Sequence, residues 1–517
     1  MTLPSTIDDT LLSELTGLVR SASGTTYKLC EVYTGDVITA LPQSTPDDVE
    51  AAFAASRQAQ AIWAGWPLKR RLQVMKRFHE LLLERWEPMV DLMQAETGKA
   101  RRMSFEEVCD VLMTVSHYLK VSRRVLAERR HGGVVPLASR STEVRVPVGV
   151  VAIISPWNFP LATSLSDATP ALVAGNGVVL KPDNKSTLSV AYGVRLLYEA
   201  GLPEGLFQIV CGEGPDVGPA LVDHADYVMF TGSTATGRAV GARAADNLID
   251  CTLELGGKNP LVVLPDADLD ETIAGAIFGT FLNAGQACMH IERIYVPRSL
   301  EAEFTRRFVA AAEAIQLGAA YDFGPTMGSL VSVDQLERVS THVSDARGRG
   351  ATVLTGGAPR PDLGPAFYAP TVLTGVTSEM LVAAEETFGP VVTIYPYDSL
   401  DEAIELANDT GYGLNASVWG RDLKAAEAAG RRIHAGNVNV NDALACSYAS
   451  KASASGGFKN SGVGARHGDY GLLKYTEVQN VAVLKKQVLG APADRPYEAH
   501  VERTVKGLRF MRKVRLR

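Results

Sequence analysis

Cysteine is sparse in this chain. None of the six, Cys30, Cys109, Cys211, Cys251, Cys288 and Cys446, stands in a CxxC pair or at the Cys/His spacing of a metal site. That spacing excludes a disulfide framework and a zinc module, and points to a reducing, cytoplasmic compartment with no metal site. Excess positive charge is missing too. With a formal net charge of -7, the surface is ill-suited to displacing counterions from phosphates, so no nucleic-acid partner is expected. Repeats and low-complexity tracts are absent, and the opening MTLPSTIDDTLLSE lacks the basic start and apolar core of a secretory signal.

The run from Thr272 to Ile291 lacks any charge and has Gly275 and Gly279 at membrane-helix packing spacing. Asn283, Gly285, Gln286 and His290 crowd its second half, where each polar group would cost several kcal/mol in hydrocarbon. We therefore expect a buried helix followed by a loop, with Cys288 in that loop.

What is present is an ordinary globular composition, 46% hydrophobic and 21% charged over 517 residues, enough for two or three domains. Between Asp47 and Gly98, Val49, Ala52, Phe53 and Ser56, then Leu72, Met75, Phe78, Leu82 and Trp86, recur at helical spacing. From Val144 the texture becomes an alternating strand, then a continuous apolar one. Further strand signals stand at 177–182, 206–212 and 227–232, separated by helix-like stretches. Such alternation predicts a parallel, doubly wound sheet. A second α/β unit begins near Asn259, with a helix over 268–281 and strands at 294–296 and 391–397. The Gly/Pro-rich stretch 347–364 reads as surface connection, and 476–486 as a late strand that pairs with another chain.

GSTATG, Gly232 to Gly237, ends the 227–232 strand in a tight turn where backbone N–H groups and a helix N-terminus can meet a diphosphate. GEGPDVG, Gly212 to Gly218, competes for the same role, and either could be a plain turn. Three further residues supply what a thiol nucleophile needs. Cys288 lies in a Gly-containing turn, Glu254 beside two glycines in LELGGKNP, and Asn158 after a strand in SPWNFP, as an oxyanion donor. Glu386 and Phe388 in EETFGP form an acid–aromatic pair. Taken singly, a packing cysteine, a turn asparagine and a solvated acid remain the alternatives.

SPWNFP, KPDN, FTGSTATG, ELGGKNP, NAGQAC, EETFGP and GGFKNSGVGARHG occur in that order, and Glu254 and Cys288 are 34 residues apart. Together they resemble the aldehyde dehydrogenase superfamily over roughly residues 30 to 486. The resemblance implies a Rossmann-like cofactor domain (1–133 and 148–256), an α/β catalytic domain (257–440), oligomerisation strands (134–147 and 474–487) and a basic tail (488–517). It also implies Cys288 as nucleophile, Glu254 as general base and Asn158 as oxyanion donor. The cofactor set is Trp157, Lys181, Asn184, Gly214, Gly218, Gly232, Ser233, Gly237, Glu386 and Phe388. The substrate set is Phe159, Thr163, Ser166, Met289 and Ser455. The implied reaction is oxidation of an aldehyde through a cysteine thiohemiacetal and thioester, in a homodimer or homotetramer.

Departures from the family pattern refine this reading. Asn184 replaces a glutamate common in relatives, with Lys185 beside it, which lowers repulsion toward a 2'-phosphate and favours NADP, with NAD also possible. Ser455, Thr163 and Ser166 make the tunnel wider and more polar. Asp167 replaces a basic residue, putting a proton relay from Glu254 through that site in doubt. KPDN, HIERIYV, AYDFGPTMGSL and the ARHG ending are similar to NADP-preferring succinate-semialdehyde dehydrogenases, whose substrate needs a cationic anchor; Lys451, His290 and Arg293 are the candidates. Alternatives are an enzyme for other small or medium aliphatic or aromatic aldehydes, an acylating dehydrogenase using coenzyme A, and an inactive cofactor-binding protein tethered to membrane. The tether would be the basic tail, whose Val501, Val505, Leu508 and Val514 fall at helical spacing, although a solvated or subunit-packed tail is the preferred expectation.

Overall fold

The computed structural model of the chain describes residues 3–133, 138–485 and 496–513. Its first sheet runs in the spatial order Phe207–Ile209, Gly177–Lys181, Val150–Ile154, Tyr227–Thr231, Asp250–Glu254, all parallel. Gly177–Lys181 and Tyr227–Thr231 are buried throughout, which is why they read as unbroken apolar runs. Strand order reverses between Val150–Ile154 and Tyr227–Thr231. Loops leaving two such strands diverge, and the crevice between them is where doubly wound sheets hold ligands.

The spacing over 47–98 becomes the helices Pro46–Ala64, Leu68–Glu84 and Trp86–Thr97, followed by Arg101–Val125. Thr45 and Asp48 close a reciprocal capping box at the first of these, a contribution of about 1 kcal/mol. Met75, Phe78 and Leu82 are fully buried in the core that also takes Val151, Ile153, Val178 and Leu180 from one face of the sheet; each such side chain contributes roughly 1.5–3 kcal/mol. Val150, Ala152, Val179 and Val228 pack the other face against Val217, Leu221 and Ala244.

A second sheet has the order Thr352–Thr355, Thr371–Thr374, Val391–Tyr397, Ile291–Pro297, Asn259–Val263, Asn415–Trp419, Asn437–Val440. Only its first strand is antiparallel to its neighbour. That strand corrects the reading of 347–364 as plain connection. Being an edge strand with no fully buried residue, it lacks the apolar signature of the others. The expected 206–212 strand is shorter, Phe207–Ile209, and that at 294–296 longer, Ile291–Pro297.

Thr476–Leu484, Ser139–Pro147 and Arg129–Gly132 form a third, antiparallel sheet. It leaves Val146, Val478, Val481 and Leu484 exposed. The outer residues of the expected strands, 134–137 and 486–487, lie outside the described residues, as does Val514. The uncharged run resolves into the helix Leu269–Phe281, a turn at Leu282–Gly285, and the strand from Ile291. No described helix is long and apolar enough to cross a membrane. In the tail, the helix Tyr497–Lys513 has no buried residue.

Beyond the second sheet the chain returns to the first, where Gly462–Val463 pairs antiparallel with Leu253–Glu254. That return brings Arg466 and Lys474, distant in sequence, to the strand that carries Glu254.

Candidate active site

Strands of the first sheet deliver their C-terminal ends to one place. Val150–Ile154 leads to Trp157, Asn158 and Phe159, Gly177–Lys181 ends on Lys181, Tyr227–Thr231 leads to Gly232 and Ser233, and Asp250–Glu254 ends on Glu254. Facing them are the turns that open two strands of the second sheet, carrying Cys288 and Met289 before Ile291–Pro297, and Glu386 and Phe388 before Val391–Tyr397. Hydrogen bonds tie the two sides together. Asn158 Nδ2 donates to the Gln286 carbonyl at 3.1 Å, and Asn283 Nδ2 to the Asn158 carbonyl at 3.1 Å. The Gly257 N–H donates to Glu386 Oε1 at 2.9 Å, and Asn259 Nδ2 to the Cys288 carbonyl at 2.8 Å.

The thiol is presented by a strained turn. Asn283 (φ 49°, ψ 35°), Ala284 (φ 54°, ψ 37°) and Gly285 (φ 70°) are three consecutive left-handed residues, a conformation costing roughly 1–2 kcal/mol for each residue with a Cβ. Glycine is required at 285, because a Cβ there would lie 1.9 Å from the Gly389 carbonyl oxygen. Phe388 is also left-handed, φ 57°. Both turns are braced by buried polar groups that the sequence reading missed. Glu292 accepts from the Thr387 N–H at 2.9 Å and the Phe388 N–H at 3.2 Å, and pairs with Lys258 and with His290. Burial alone would push the Glu292 carboxyl up, but Lys258 and His290 hold it well below the ordinary range. Behind Asn158, Lys99 Nζ donates to its carbonyl at 2.8 Å while pairing with Glu107.

Electrostatics set the state of the Cys288 sulfur. Burial, then the carboxylates of Glu386 and Glu254, push the thiol up to about 12 against the opposing pull of Arg466. As the site stands, the sulfur is a thiol that needs a base. Glu254 is matched to that task, since burial pushes its carboxyl up to about 7 while Arg466 and Lys474 pull it down. Its Oε1 is buried with no hydrogen-bond partner, leaving a lone pair free to take a proton. Glu386 is likewise pushed up to about 7, by burial and by Glu292.

The crevice fits a dinucleotide. Ser233 caps Thr234–Asp246 through the Thr236 N–H at 3.2 Å and is itself exposed, leaving the helix N-terminus open to an anion. Gly237 lets this helix lie on Leu255, where a Cβ would come within 2.3 Å. A Cβ at Gly232 would meet the Phe230 ring at 2.6 Å, and Trp157 sets its ring edge-on to Phe388 at 5.6 Å. GEGPDVG differs from GSTATG: Gly214 opens the helix Gly214–His224, and neither it nor Gly218 has any atom within 4 Å of a Cβ position. The neighbouring Glu213 matters more. Asn184 Nδ2 donates to Glu213 Oε1 at 3.1 Å and to Gln43 at 3.2 Å. A carboxylate removed from position 184 is thus supplied from position 213, while Lys185 leans on Asp183 at 3.9 Å.

The hydroxyls expected to make the tunnel polar are spent internally. Thr163 Oγ1 donates to the Phe159 carbonyl at 2.8 Å, Ser166 Oγ to Asp110 at 2.9 Å, and Ser455 Oγ to Asn437 at 2.9 Å. Buried Met289 gives its carbonyl to Asn415, and Phe159 lies under Lys99 Nζ at 4.5 Å. Of the anchor candidates, Arg293 spends its guanidinium on the carbonyls of Lys258, Leu406 and Ala407 and on the Tyr295 hydroxyl. His290 is taken by Glu292, and Lys451 by Asp110, His467 and the Tyr448 ring. Arg466 was not among the candidates, yet its charge reaches the Cys288 thiol and its buried Nε has no partner.

A parallel sheet reversing its order at an open, capped helix, set against a second α/β sheet carrying a strained thiol turn, defines a dinucleotide-linked oxidoreductase. More narrowly, the chain belongs to the aldehyde dehydrogenase family, whose pattern matches residues 18–481. It is 47% identical over 492 residues, 95% of each chain, to a Mycolicibacterium smegmatis protein named "Putative succinate-semialdehyde dehydrogenase (NADP(+))". It is 35% identical over 470 residues, 90% of this chain and 95% of the other, to 3-sulfolactaldehyde dehydrogenase of Pseudomonas putida. Betaine aldehyde dehydrogenase from Staphylococcus aureus, solved with NAD+, superposes with a TM-score of 0.87 at 29% identity, covering 94% of this chain and 99% of that one.

Proposed function

We propose that this protein oxidises succinate semialdehyde to succinate with NADP as the preferred acceptor and NAD as a possible one. The observations that support the reading are the bond from the Asn158 amide to Gln286 in the turn that carries Cys288, and the action of Glu254, its Oε1 buried and unpartnered, on the Cys288 thiol. Glu254 takes the thiol proton, and sulfur adds to the aldehyde carbon. The Asn158 amide and the Cys288 N–H steady the oxyanion of the thiohemiacetal. A bound nicotinamide would supply the acceptor for the hydride on this carbon. Having passed the thiol proton to solvent, Glu254 then takes a proton from the water that cleaves the thioester and gives it to the departing sulfur, leaving the acid and the free thiol.

Lys181, Ser233 and Glu386, with the Phe388 ring, form the cofactor side in this reading. The relatives' names support an aldehyde with an anionic tail, and the Nε of Arg466, without a partner although Asp167 holds its Nη2, is the donor such a tail would meet. The exposed apolar row Val478, Val481 and Leu484 supports a homodimer or homotetramer built through the third sheet, and six free thiols support a cytoplasmic setting. Succinate semialdehyde, hexanal and benzaldehyde, each assayed with NAD and NADP, test the substrate and the cofactor together. We expect the largest kcat/KM for succinate semialdehyde with NADP and no turnover in C288A. A preference for hexanal or benzaldehyde would remove the substrate assignment, undiminished activity in C288A would remove the nucleophile, and strict dependence on coenzyme A would favour the acylating reaction.

A further inference from the structure

Glu254 has an unusual electrostatic setting, built from parts of the chain that motif matching does not connect. Its strand is flanked by Tyr227–Thr231 and by Gly462–Val463, while the helix Pro160–Ala174 carries Asp167 and the end of the helix Gly468–Leu473 carries Lys474. The charged groups acting on Glu254 are Arg466, Lys474 and Asp167. Neither cation bonds to it. Arg466 Nη2 is held by Asp167 at 3.1 Å and by Thr231 Oγ1 at 2.9 Å. Lys474 Nζ rests on the Ala465 carbonyl at 3.2 Å and the Met229 sulfur at 3.3 Å.

The arrangement solves a specific difficulty. A buried carboxylate without compensation would stay protonated, and a base locked in a direct salt bridge would be too weak and too occupied to accept a proton. A cation held at one remove favours the ionised carboxylate yet leaves its oxygen free. Asp167 acts on both cations but bonds only to Arg466, so Lys474 suits this role better; burial pulls its ammonium down to about 8, which leaves it charged at pH 7.

We propose that Lys474 is a positioning residue for the hydrolytic half-reaction, an unbonded counter-charge that keeps Glu254 ionised and free to activate water. Resting on the reading of Glu254 as general base, this acts on both of its proton transfers; acyl-enzyme decay isolates the second, and the amplitude of the NADPH burst is left unchanged. Asp167 opposes it, being the one anion acting on Glu254.

The test is acyl-enzyme decay after a single turnover, followed by intact-protein mass across pH 5.5 to 9, with the NADPH burst recorded in the same reaction. Removing a positive charge near a carboxylate raises its pKa. K474M should therefore keep a full burst while the acid limb of decay moves up by about 1 pH unit, slowing decay about 5-fold at pH 7. K474R, which restores the charge, should return the limb toward the wild-type position, and D167N should move it down. A full burst with the K474M limb unmoved would overturn the proposal. So would equal loss of burst and decay in K474M, the mark of a merely structural lysine. An absent burst in the wild-type protein would instead defeat the aldehyde-oxidation reading itself.

Discussion

The Lys99 ammonium and the Glu107 carboxylate form a fully buried ion pair, 2.6 Å apart. Between them they brace the Asn158 side of the site. Lys99 holds the Asn158 carbonyl, and Glu107 accepts the N–H groups of Leu161 at 2.6 Å and Ala162 at 3.0 Å, at the start of the helix that follows. The pair thereby sets where the Asn158 amide points.

Breaking this pair leaves a buried charge uncompensated. K99M should lose about 3–5 kcal/mol of stability in urea unfolding. Because a glutamine carbonyl still accepts the helix N–H groups, K99M/E107Q should regain much of that stability while kcat stays low, since Asn158 remains loose. Recovery of kcat together with stability would show that the pair has no bearing on the oxyanion group.

Glu254, held at about 7 by burial, must be ionised to act as a base. Thioester hydrolysis should therefore fall as pH drops through about 7 and level off above 8. E254Q, lacking the base for both thiol and water, should form its acyl-enzyme and one equivalent of NADPH more slowly than wild type at pH 7, and then turn over about 10²–10⁴-fold more slowly. Pre-steady-state absorbance at 340 nm would reveal both behaviours.

The raised Cys288 thiol bears on labelling chemistry. Thiolate is the reactive form, and a thiol pushed up to about 12 gains thiolate about tenfold per pH unit throughout the neutral range. In cofactor-free protein, iodoacetamide should modify exposed Cys446 well before Cys288 at pH 7. Labelling of Cys288 should keep climbing past pH 9 without a plateau, as peptide mass mapping would show.

Glu213 stands beside Asn184 where a 2'-phosphate would approach. E213Q removes that charge and should raise the NADP:NAD ratio of kcat/KM about 5-fold, the effect of roughly 1 kcal/mol between exposed charges. N184E adds a second carboxylate and should shift the ratio the other way. An unchanged ratio in both variants would place the phosphate elsewhere.

The tail helix Tyr497–Lys513 buries no residue. Protein ending at Gly490 should keep the wild-type melting temperature and kcat, measured by calorimetry and by NADPH formation at one enzyme concentration.

Much of this architecture was legible in the sequence because two periodicities dominate it. Unbroken apolar runs marked strands buried on both faces, such as 177–181 and 227–231, and three-and-four spacing marked the helices Pro46–Ala64 and Leu68–Glu84. The half-exposed edge strand Thr352–Thr355 carried neither signal and was missed. The polar tunnel was misjudged for another reason: a serine in a sequence does not disclose that its hydroxyl already has an acceptor, as Ser166 has in Asp110.

By itself the sequence determined which chemical groups this protein owns and how they are punctuated along the chain. A thiol in a glycine turn, a carboxylate beside two glycines and an amide after a strand are local facts, fixed by residue type and spacing. Tertiary structure alone decided the state of those groups. Whether Cys288 is thiol or thiolate, and whether Glu254 is a base near neutrality, depends on Arg466, Lys474, Asp167 and Glu386. Charge acts through space and strengthens with burial, so its sources cannot be found until the fold has brought residues 167, 254, 288, 386, 466 and 474 together.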